Sequence, residues 1–134
     1  MEDRYLFKAK RLDNHYWILG FLSAHKTGKY FIRPICGSAL SSEDVDKNTI
    51  CQCTGLKDRN GKLIFENDIV AYWDTYSTDN GLAEVDCIGK VVWDDETLSF
   101  QVTNRLSSES YEVLDECSVI GNIFDNPELL ESEE

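Results

Sequence analysis

The sequence is poor in the residue types from which most catalytic and metal sites are built. Its 134 residues include two histidines, His15 and His25. Both fall in predicted turns at opposite ends of neighbouring strands, so we do not expect them to meet. The five cysteines form no C-x-x-C pair, and a zinc site needs more ligands at better spacing. No serine, threonine or cysteine has a recognisable partner base. We therefore predict no catalytic residue, no metal site and no cofactor.

Long apolar segments are also missing from the chain. No window approaches the roughly 18 apolar residues of a membrane-spanning helix, and the N-terminus lacks the charged-then-apolar pattern of a signal peptide. The five cysteines lack a C-x-x-C pair, and in a reducing compartment we expect them to stay as free and mostly buried thiols. These absences predict a cytoplasmic protein without a membrane partner.

Helical periodicity is almost absent, whereas short strands alternate with turns about every ten residues. The apolar pattern predicts an N-terminal antiparallel meander over residues 4–34, with residues 16–22 as its central strand. A polar loop is expected over 36–48. A long strand is predicted with Gly89 inside it, where a bulge or bend is expected. Together with the hairpin that follows, this strand predicts an SH3-like small barrel at about residues 50–124.

Two further segments complete the predicted layout, which is a single all-β domain over residues 1–134. Residues 74–81 are polar and end in Asn-Gly, a pattern that predicts an exposed loop. Asn126 and Pro127 are typical of a helix N-cap and of the first helical position. One short helical turn and an acidic tail are therefore expected over residues 125–134.

Acidic residues outnumber basic ones, and the imbalance is uneven along the chain. The net charge is −12, from 13 basic and 25 acidic residues. Residues 1–33 hold seven basic and three acidic side chains, a net charge of +4, so the remainder carries −16. Because an acidic surface repels phosphate over a Debye length of about 8 Å, non-specific nucleic-acid binding by the whole surface is disfavoured. The basic N-terminal portion stays available to the acidic body, to a second subunit or to a short stretch of nucleic acid.

The sharpest local pattern lies in the middle of the chain, where residues 54–70 read TGLKDRNGKLIFENDIV. Asn60-Gly61 is a strong turn signal because both residue types tolerate a positive φ. The Asp58 side chain can accept a backbone hydrogen bond from two residues further on. The pattern therefore predicts a type I turn that starts at Asp58 and places Gly61 in the left-handed region. A second corner is expected at residues 66–68.

This stretch resembles the signature of the YopX-like protein family of phages and prophages, T-G-L-x-D-x-N-G-x-x-I-[FY]-E-G-D-I-V. The segments from Arg4 to Gly20 and from Val119 to Leu130 are similar to the opening and closing parts of the same family. The resemblance implies a fold and a phage context, but no established activity. The family usually has glycine where this chain has Asn67, and asparagine is the least strained substitute if φ is positive there. The residues that match the family, interpreted first as structural, are Thr54, Gly55, Asp58, Asn60, Gly61, Asn67, Asp68, Gly121, Asn122 and Pro127.

Binding, and not catalysis, is the leading hypothesis. We expect a non-enzymatic phage or prophage accessory protein that acts through a protein partner of the host or the phage, in the form of a monomer or a homo-oligomer. The candidate binding surface combines the best basic patch with one tyrosine in a polar loop: Lys8, Lys10, Arg11, Lys26, Lys29 and Tyr76. Two alternatives stay open, namely association with nucleic acid through the basic meander and mimicry of nucleic acid by the acidic part.

Overall fold

Strands dominate the computed structural model, which describes residues 5–35, 42–103, 110–112 and 116–131, without the side chains of 74–76, 110–112 and 131. The strands are β1 (Phe7–Lys10), β2 (Trp17–Ala24), β3 (Tyr30–Pro34), β4 (Glu43–Val45), β5 (Cys51–Lys57), β6 (Leu63–Phe65), β7 (Asp68–Thr78), β8 (Gly81–Asp94), β9 (Ser99–Thr103), β10 (Ser110–Glu112) and β11 (Ser118–Asn122). A 3₁₀ turn spans Lys47–Thr49, and helix α1 spans Glu128–Glu131. The predicted all-β class, with one short helical turn at the C-terminal end, is confirmed.

The chain divides into two compact units, Met1–Gly55 and Leu56–Glu134. In the first unit the predicted meander is present, and β2 is its central strand, hydrogen-bonded to β1 on one side and β3 on the other. Ala9, Ile32 and Val45 form the buried core of this unit. Because successive side chains of a strand point to opposite faces, the neighbours of Ala9 on β1 face away from this core.

The polar segment that was predicted to be a loop over 36–48 contains a strand. Strand β4 pairs antiparallel with β3, and its Val45 also forms a bridge with Arg11 at the end of β1. Val45 is 3% exposed, and burial of this one apolar side chain holds an otherwise polar segment against the core. Asp46 follows β4, and its carboxylate accepts the Asn48 backbone N–H at 3.0 Å to cap the 3₁₀ turn. Residues 36–41 lie outside the described residues.

In the second unit the strand order is β10-β9-β8-β7-β11, and all pairs are antiparallel. Its core contains Ile64, Val70, Val91, Val102 and Cys117. The prediction of a barrel at about 50–124 is wrong, because the described strands do not form a closed sheet. Strands β10 and β11 occupy opposite edges of the described sheet, so the sheet stays open.

The prediction of a loop over 74–81 is also wrong, because the two strands continue through most of this segment. Strand β7 runs to Thr78 and β8 starts at Gly81, with Thr78 directly opposite Gly81. Only two residues connect them, and the Thr78 hydroxyl donates to the Gly81 carbonyl at 2.8 Å. Threonine and tyrosine fit an extended backbone well despite their polarity, which explains why a polar segment forms a strand here.

Gly89 marks a close contact, whereas a bulge was predicted at this position. The pairing of β7 with β8 continues without a break through Gly89. A Cβ atom at Gly89 would lie 2.6 Å from the Thr103 carbonyl oxygen on β9, so the absent side chain lets the two backbones approach. The register shift of this sheet instead occurs in β11, between Val119 and Gly121.

Helix α1 has four residues and begins one residue later than the predicted cap implies. The Asn126 side chain accepts the Asn122 backbone N–H at 3.2 Å. Its main-chain carbonyl accepts the Leu129 N–H at 3.0 Å. Among the residues that the structure describes, no helix is long and apolar enough to cross a membrane.

We expect the substitution Leu98→Gly to stabilise the fold. Leu98 has a φ of +54° and is 72% exposed, so it bears the strain of a left-handed residue without burying its side chain. Glycine relieves that strain, for an expected gain of about 0.5–1 kcal/mol in the free energy of unfolding. Urea denaturation measures the change. Leu82→Gly is the matched control: Leu82 is 76% exposed but lies within β8, where glycine should destabilise. Destabilisation by Leu98→Gly would contradict the prediction.

Candidate functional site

The carboxylate of Asp58 ties the signature turn to β11. Its Oδ1 accepts the backbone N–H groups of Asn60 and Lys62, both at 2.9 Å. Its Oδ2 accepts the N–H of Val119, which lies 61 positions further along the chain, at 2.8 Å. The turn has the predicted geometry, because the Gly61 N–H donates to the Asp58 carbonyl and Gly61 has a φ of +82°. One side chain therefore organises the turn and anchors it to a distant strand.

The pKa of Asp58 reflects two opposed effects. Burial, which leaves the residue 5% exposed, raises the pKa of the carboxyl group. The three backbone N–H donors and the positive charge of Lys62 together more than offset burial, so the pKa lies below its ordinary value of 3.8. Asp58 is therefore ionised at neutral pH and serves as an acceptor for the backbone.

The second corner of the signature is equally structural. Asn67 has a φ of +72°, which accounts for an asparagine where the family usually has glycine. Its N–H donates to the Val91 carbonyl at 2.8 Å. Asp68 is 1% exposed, and its carboxylate accepts the Phe65 N–H at 2.8 Å. The two remaining residues of this group, Thr54 and Gly55, lie in β5, and Gly55 has a φ of +85°.

The closing segment is built on side chain to backbone contacts. The Asn122 side-chain oxygen accepts the N–H groups of Phe124 and Asp125 at 2.9 and 3.0 Å. Gly121 leaves room for Asn126, because a Cβ atom at Gly121 would lie 2.5 Å from the Asn126 side-chain oxygen. Pro127 directly precedes α1. Most of the residues that match the family thus have local structural roles.

The predicted basic surface separates into different places in the first unit. Lys8 and Lys10 share a face of β1, and their ammonium groups lie 4.9 and 5.5 Å from the ring centroid of Trp17. Lys26 and Lys29 lie beyond the end of β2 in the turn to β3. Tyr76 belongs to β7, and its side chain is outside the part of the chain that the structure describes.

Arg11 is engaged by two carboxylates. Its guanidinium donates to Asp13 at 3.0 and 2.6 Å and lies 3.2 Å from Glu43. The hydrogen bond from Arg11 lowers the pKa of the Asp13 carboxyl group. Much of the charge that made Arg11 a candidate for binding is thus matched within the unit.

A pocket of about 220 Å³ opens beside the 3₁₀ turn of the first unit. Leu12, Tyr30 and Val45 supply its apolar walls, and Lys29 and Lys47 lie with Asp44 and Asp46 among its lining residues. Opposite charges in equal number give it no preference for either sign. Within the described ranges, no three His, Cys, Asp or Glu side chains are grouped so that they could hold a metal ion.

One exposed part of the second unit is the far end of the β7–β8 hairpin, residues 73–86, which we term the ribbon. Strand β11 pairs with β7 only as far as Ala71, and β9 pairs with β8 only from Lys90 onward. Among the described residues, the ribbon therefore pairs only with itself. Trp73, Leu82 and Val85 within it are 60%, 76% and 44% exposed. The sequence analysis predicted a loop over 74–81, so it did not predict that residues 74–78 pair as a strand with residues 81–85.

Arg59 extends from the signature turn to the base of the ribbon. Its backbone N–H donates to the Cys117 carbonyl at 2.9 Å, and its Nε donates to the Glu116 carbonyl at 3.2 Å. Its guanidinium lies 4.7 Å from the ring centroid of Trp73. We term Arg59 and Trp73 the Arg–Trp pair. The residues are 14 positions apart in sequence, and no local pattern links them.

Comparisons with known proteins agree with the resemblance seen in the sequence. The family model described as YopX protein matches residues 14–131. The chain is also similar to the crystal structure of protein EF1440 from Enterococcus faecalis, with 25% sequence identity and a TM-score of 0.51, over 92% of this chain and 96% of that one. No match is found among curated proteins. These comparisons support the fold, and none of them names a ligand or partner.

Proposed function

Since the chain belongs to the YopX protein family, we propose that it is a non-enzymatic phage or prophage protein that works in the cytoplasm by binding a protein partner. The exposed ribbon is the observation that carries this proposal. A two-stranded ribbon is marginally stable alone in water, and its unpaired edges offer backbone groups to another chain. A partner that covers it would bury Leu82 and Val85 and complete its hydrogen bonding.

The use of buried acids supports a binding role. The carboxylates of Asp58 and Asp68 accept backbone N–H groups at the two corners of the signature. Acid–base catalysis instead needs a titratable group aimed at a reacting atom, with a pKa near the working pH. Both acids are committed to the fold, which favours the non-enzymatic reading.

A second candidate is association with nucleic acid, and one observation favours it. Lys8 and Lys10 flank the Trp17 ring, and cations beside an aromatic ring are typical of surfaces that bind single strands. Charge opposes it, because residues 56–134 hold 19 acidic and five basic side chains. The same acidity supports mimicry of nucleic acid, which is a special case of protein binding. We favour a protein partner because the ribbon combines strand edges that are unpaired among the described residues with exposed apolar side chains.

The test is capture from bacterial lysate with tagged full-length protein, with and without nuclease, followed by binding measurements with each purified candidate partner. We expect a protein that survives nuclease and binds directly. Its capture should fall at least fivefold with the double variant Leu82→Ser, Val85→Ser, because an interface depends on a few buried apolar contacts. Leu98→Ser is the control, since Leu98, which is 72% exposed, is nearly as exposed as Leu82 but lies outside the ribbon.

Other results would count against the proposal in distinct ways. Loss of all partners on nuclease treatment, together with a salt-steep affinity for nucleic acid that disappears when Lys8, Lys10 and Arg11 are replaced by alanine, would establish the second candidate. If the double variant Leu82→Ser, Val85→Ser captures as much partner as wild type, the ribbon is not the binding surface. An empty capture together with an oligomeric mass in solution would favour self-assembly.

A further inference from the structure

A cationic and aromatic site lies on the acidic unit of the chain, where the signature turn meets the base of the ribbon at Trp73. The turn from Lys57 to Lys62 holds three of the five basic residues found in 56–134. Lys57, Arg59 and Lys62 are all exposed, whereas Asp58 between them is buried and bonded to backbone. The turn therefore presents positive charge outward while its one acidic group is turned inward.

Arg59 is held in position by contacts that leave its outer edge available. The backbone N–H and Nε are bound to carbonyl groups, and one face of the guanidinium lies against Trp73. In the described part of the chain, its two terminal nitrogens make no hydrogen bond or ion pair. These nitrogens form the fork that binds a carboxylate with two parallel hydrogen bonds. Because the Nε bond and the contact with Trp73 already restrict the Arg59 side chain, less side-chain entropy is lost on binding.

Trp73 supplies an apolar surface directly beside that fork. It is 60% exposed, which is a large fraction for a rigid side chain that contributes strongly to interfaces. An aliphatic or aromatic side chain laid on the free part of the indole would be buried next to the guanidinium. The pair thus suits a ligand that carries an apolar group and a carboxylate close together.

We propose that the Arg–Trp pair, flanked by Lys57 and Lys62, is a docking site for a segment of a partner protein in which an acidic residue adjoins an apolar one. The inference rests on the proposed function and names the chemistry of the partner. Arg59 binds the carboxylate, and Trp73 covers the apolar side chain. Charge complementarity at close range selects this occupant, since the local cations lie within a Debye length of a bound carboxylate.

The surrounding charge argues against a nucleic acid at the same place. A nucleic acid brings a phosphate at every nucleotide, and most of these would lie over the acidic remainder of the unit. A short acidic segment needs to place only one carboxylate at the Arg59 fork, where the positive charges of Lys57 and Lys62 also attract it. The site therefore accepts a peptide carboxylate and disfavours a long polyanion.

The test uses a phage-displayed random dodecapeptide library, selected on the immobilised full chain. We expect the selected peptides to share an aspartate or glutamate beside a leucine or aromatic residue. For the synthetic peptides, Arg59→Gln should weaken the Kd about tenfold or more, as loss of a charge-assisted pair does, and so should Trp73→Ala. Arg59→Lys keeps the charge without the fork, so a partial loss is expected. Lys47→Gln is the control, because Lys47 is an exposed cation of the first unit that belongs to neither candidate binding surface.

Thermal unfolding of each variant first shows that the fold is intact, and Trp73→Phe serves in place of Trp73→Ala if the alanine variant unfolds. Peptides that bind Arg59→Gln as tightly as wild type, or that lack an acidic residue, would overturn the site while leaving a protein partner elsewhere. Failure to select any peptide would also overturn it. In both cases the lysate capture, which depends on Leu82 and Val85, decides the proposed function separately.

Discussion

Replacement of Asp58 by alanine is expected to lower the free energy of unfolding by about 3–5 kcal/mol. The substitution removes the acceptor of three backbone hydrogen bonds, including the one to Val119 on β11. A hydrogen bond to a charged group contributes roughly 1.5–3 kcal/mol, and a buried donor left without a partner adds its own penalty. Urea denaturation at pH 7 measures the loss. Asp79→Ala is the matched control, because Asp79 is exposed in the turn of the ribbon and its replacement should change little.

The dependence on pH separates the charge of Asp58 from its shape. Its pKa is lower in the folded protein than the ordinary 3.8, so ionised Asp58 stabilises the fold above about pH 4, and this contribution is lost as the pH falls through the folded pKa. The isosteric variant Asp58→Asn lacks the contribution of the ionised carboxylate. One of its amide hydrogens also faces a backbone N–H donor, so the two groups cannot form a hydrogen bond. The stability gap between wild type and Asp58→Asn should therefore narrow on acidification. A gap that stays constant from pH 7 to pH 3 would show that ionisation of Asp58 does not contribute.

The same turn shows how far local chemistry can be read from a sequence. Asn60-Gly61 and Asp58 predicted the turn and its left-handed residue, because the signal depends on the conformational range of neighbouring residues. The bond from Asp58 to Val119 could not be predicted, since it joins positions 61 apart. For the same reason the sequence shows Arg59 and Trp73 as two separate residues, and only the pairing of β7 with β11 places them together.

The ribbon shows the opposite failure, in which polarity was given more weight than strand propensity. Residues 74–81 contain serine, threonine, aspartate and asparagine, a composition typical of loops, and their pairing partners from Gly81 onward could not be identified beforehand. A hairpin extends as long as both arms can pair, whether or not its side chains are buried. The closure of the predicted barrel failed similarly, because strand order depends on partners distant in sequence.

The family signature and the proposed docking site use different residues of one turn. The signature requires Asp58, Asn60 and Gly61, which give the turn its geometry, but it leaves the positions of Lys57 and Arg59 open. A turn of fixed shape can therefore carry different side chains outward in different members. We expect the partner of this chain to depend on the open positions, so that membership of the family predicts the fold more closely than the partner.

Gly20→Ala is expected to disrupt the first unit, at a cost of about 4 kcal/mol or more. Gly20 lies in the central strand β2, opposite Phe7 on one side and Pro34 on the other. A Cβ atom there would overlap the backbone carbonyl of Arg33, and a main-chain atom in a paired strand cannot rotate away as a side chain can. Costs of this size arise from overpacking that the backbone cannot relieve. Ser23→Ala, at an exposed position of the same strand, should change stability by less than about 0.5 kcal/mol.

Amide resonances measured during urea denaturation of Gly20→Ala would also show whether residues 1–134 fold as one domain. If the two units unfold together, the amides of β7 and β8 should lose their dispersion at the same lowered urea concentration as those of β1 to β3, because a two-state transition has one midpoint. If the units are independent, β7 and β8 should keep the wild-type midpoint while β1 to β3 are already unfolded. A wild-type midpoint for all of these strands would mean that the backbone at Arg33 yields, and that the close approach at Gly20 is not required.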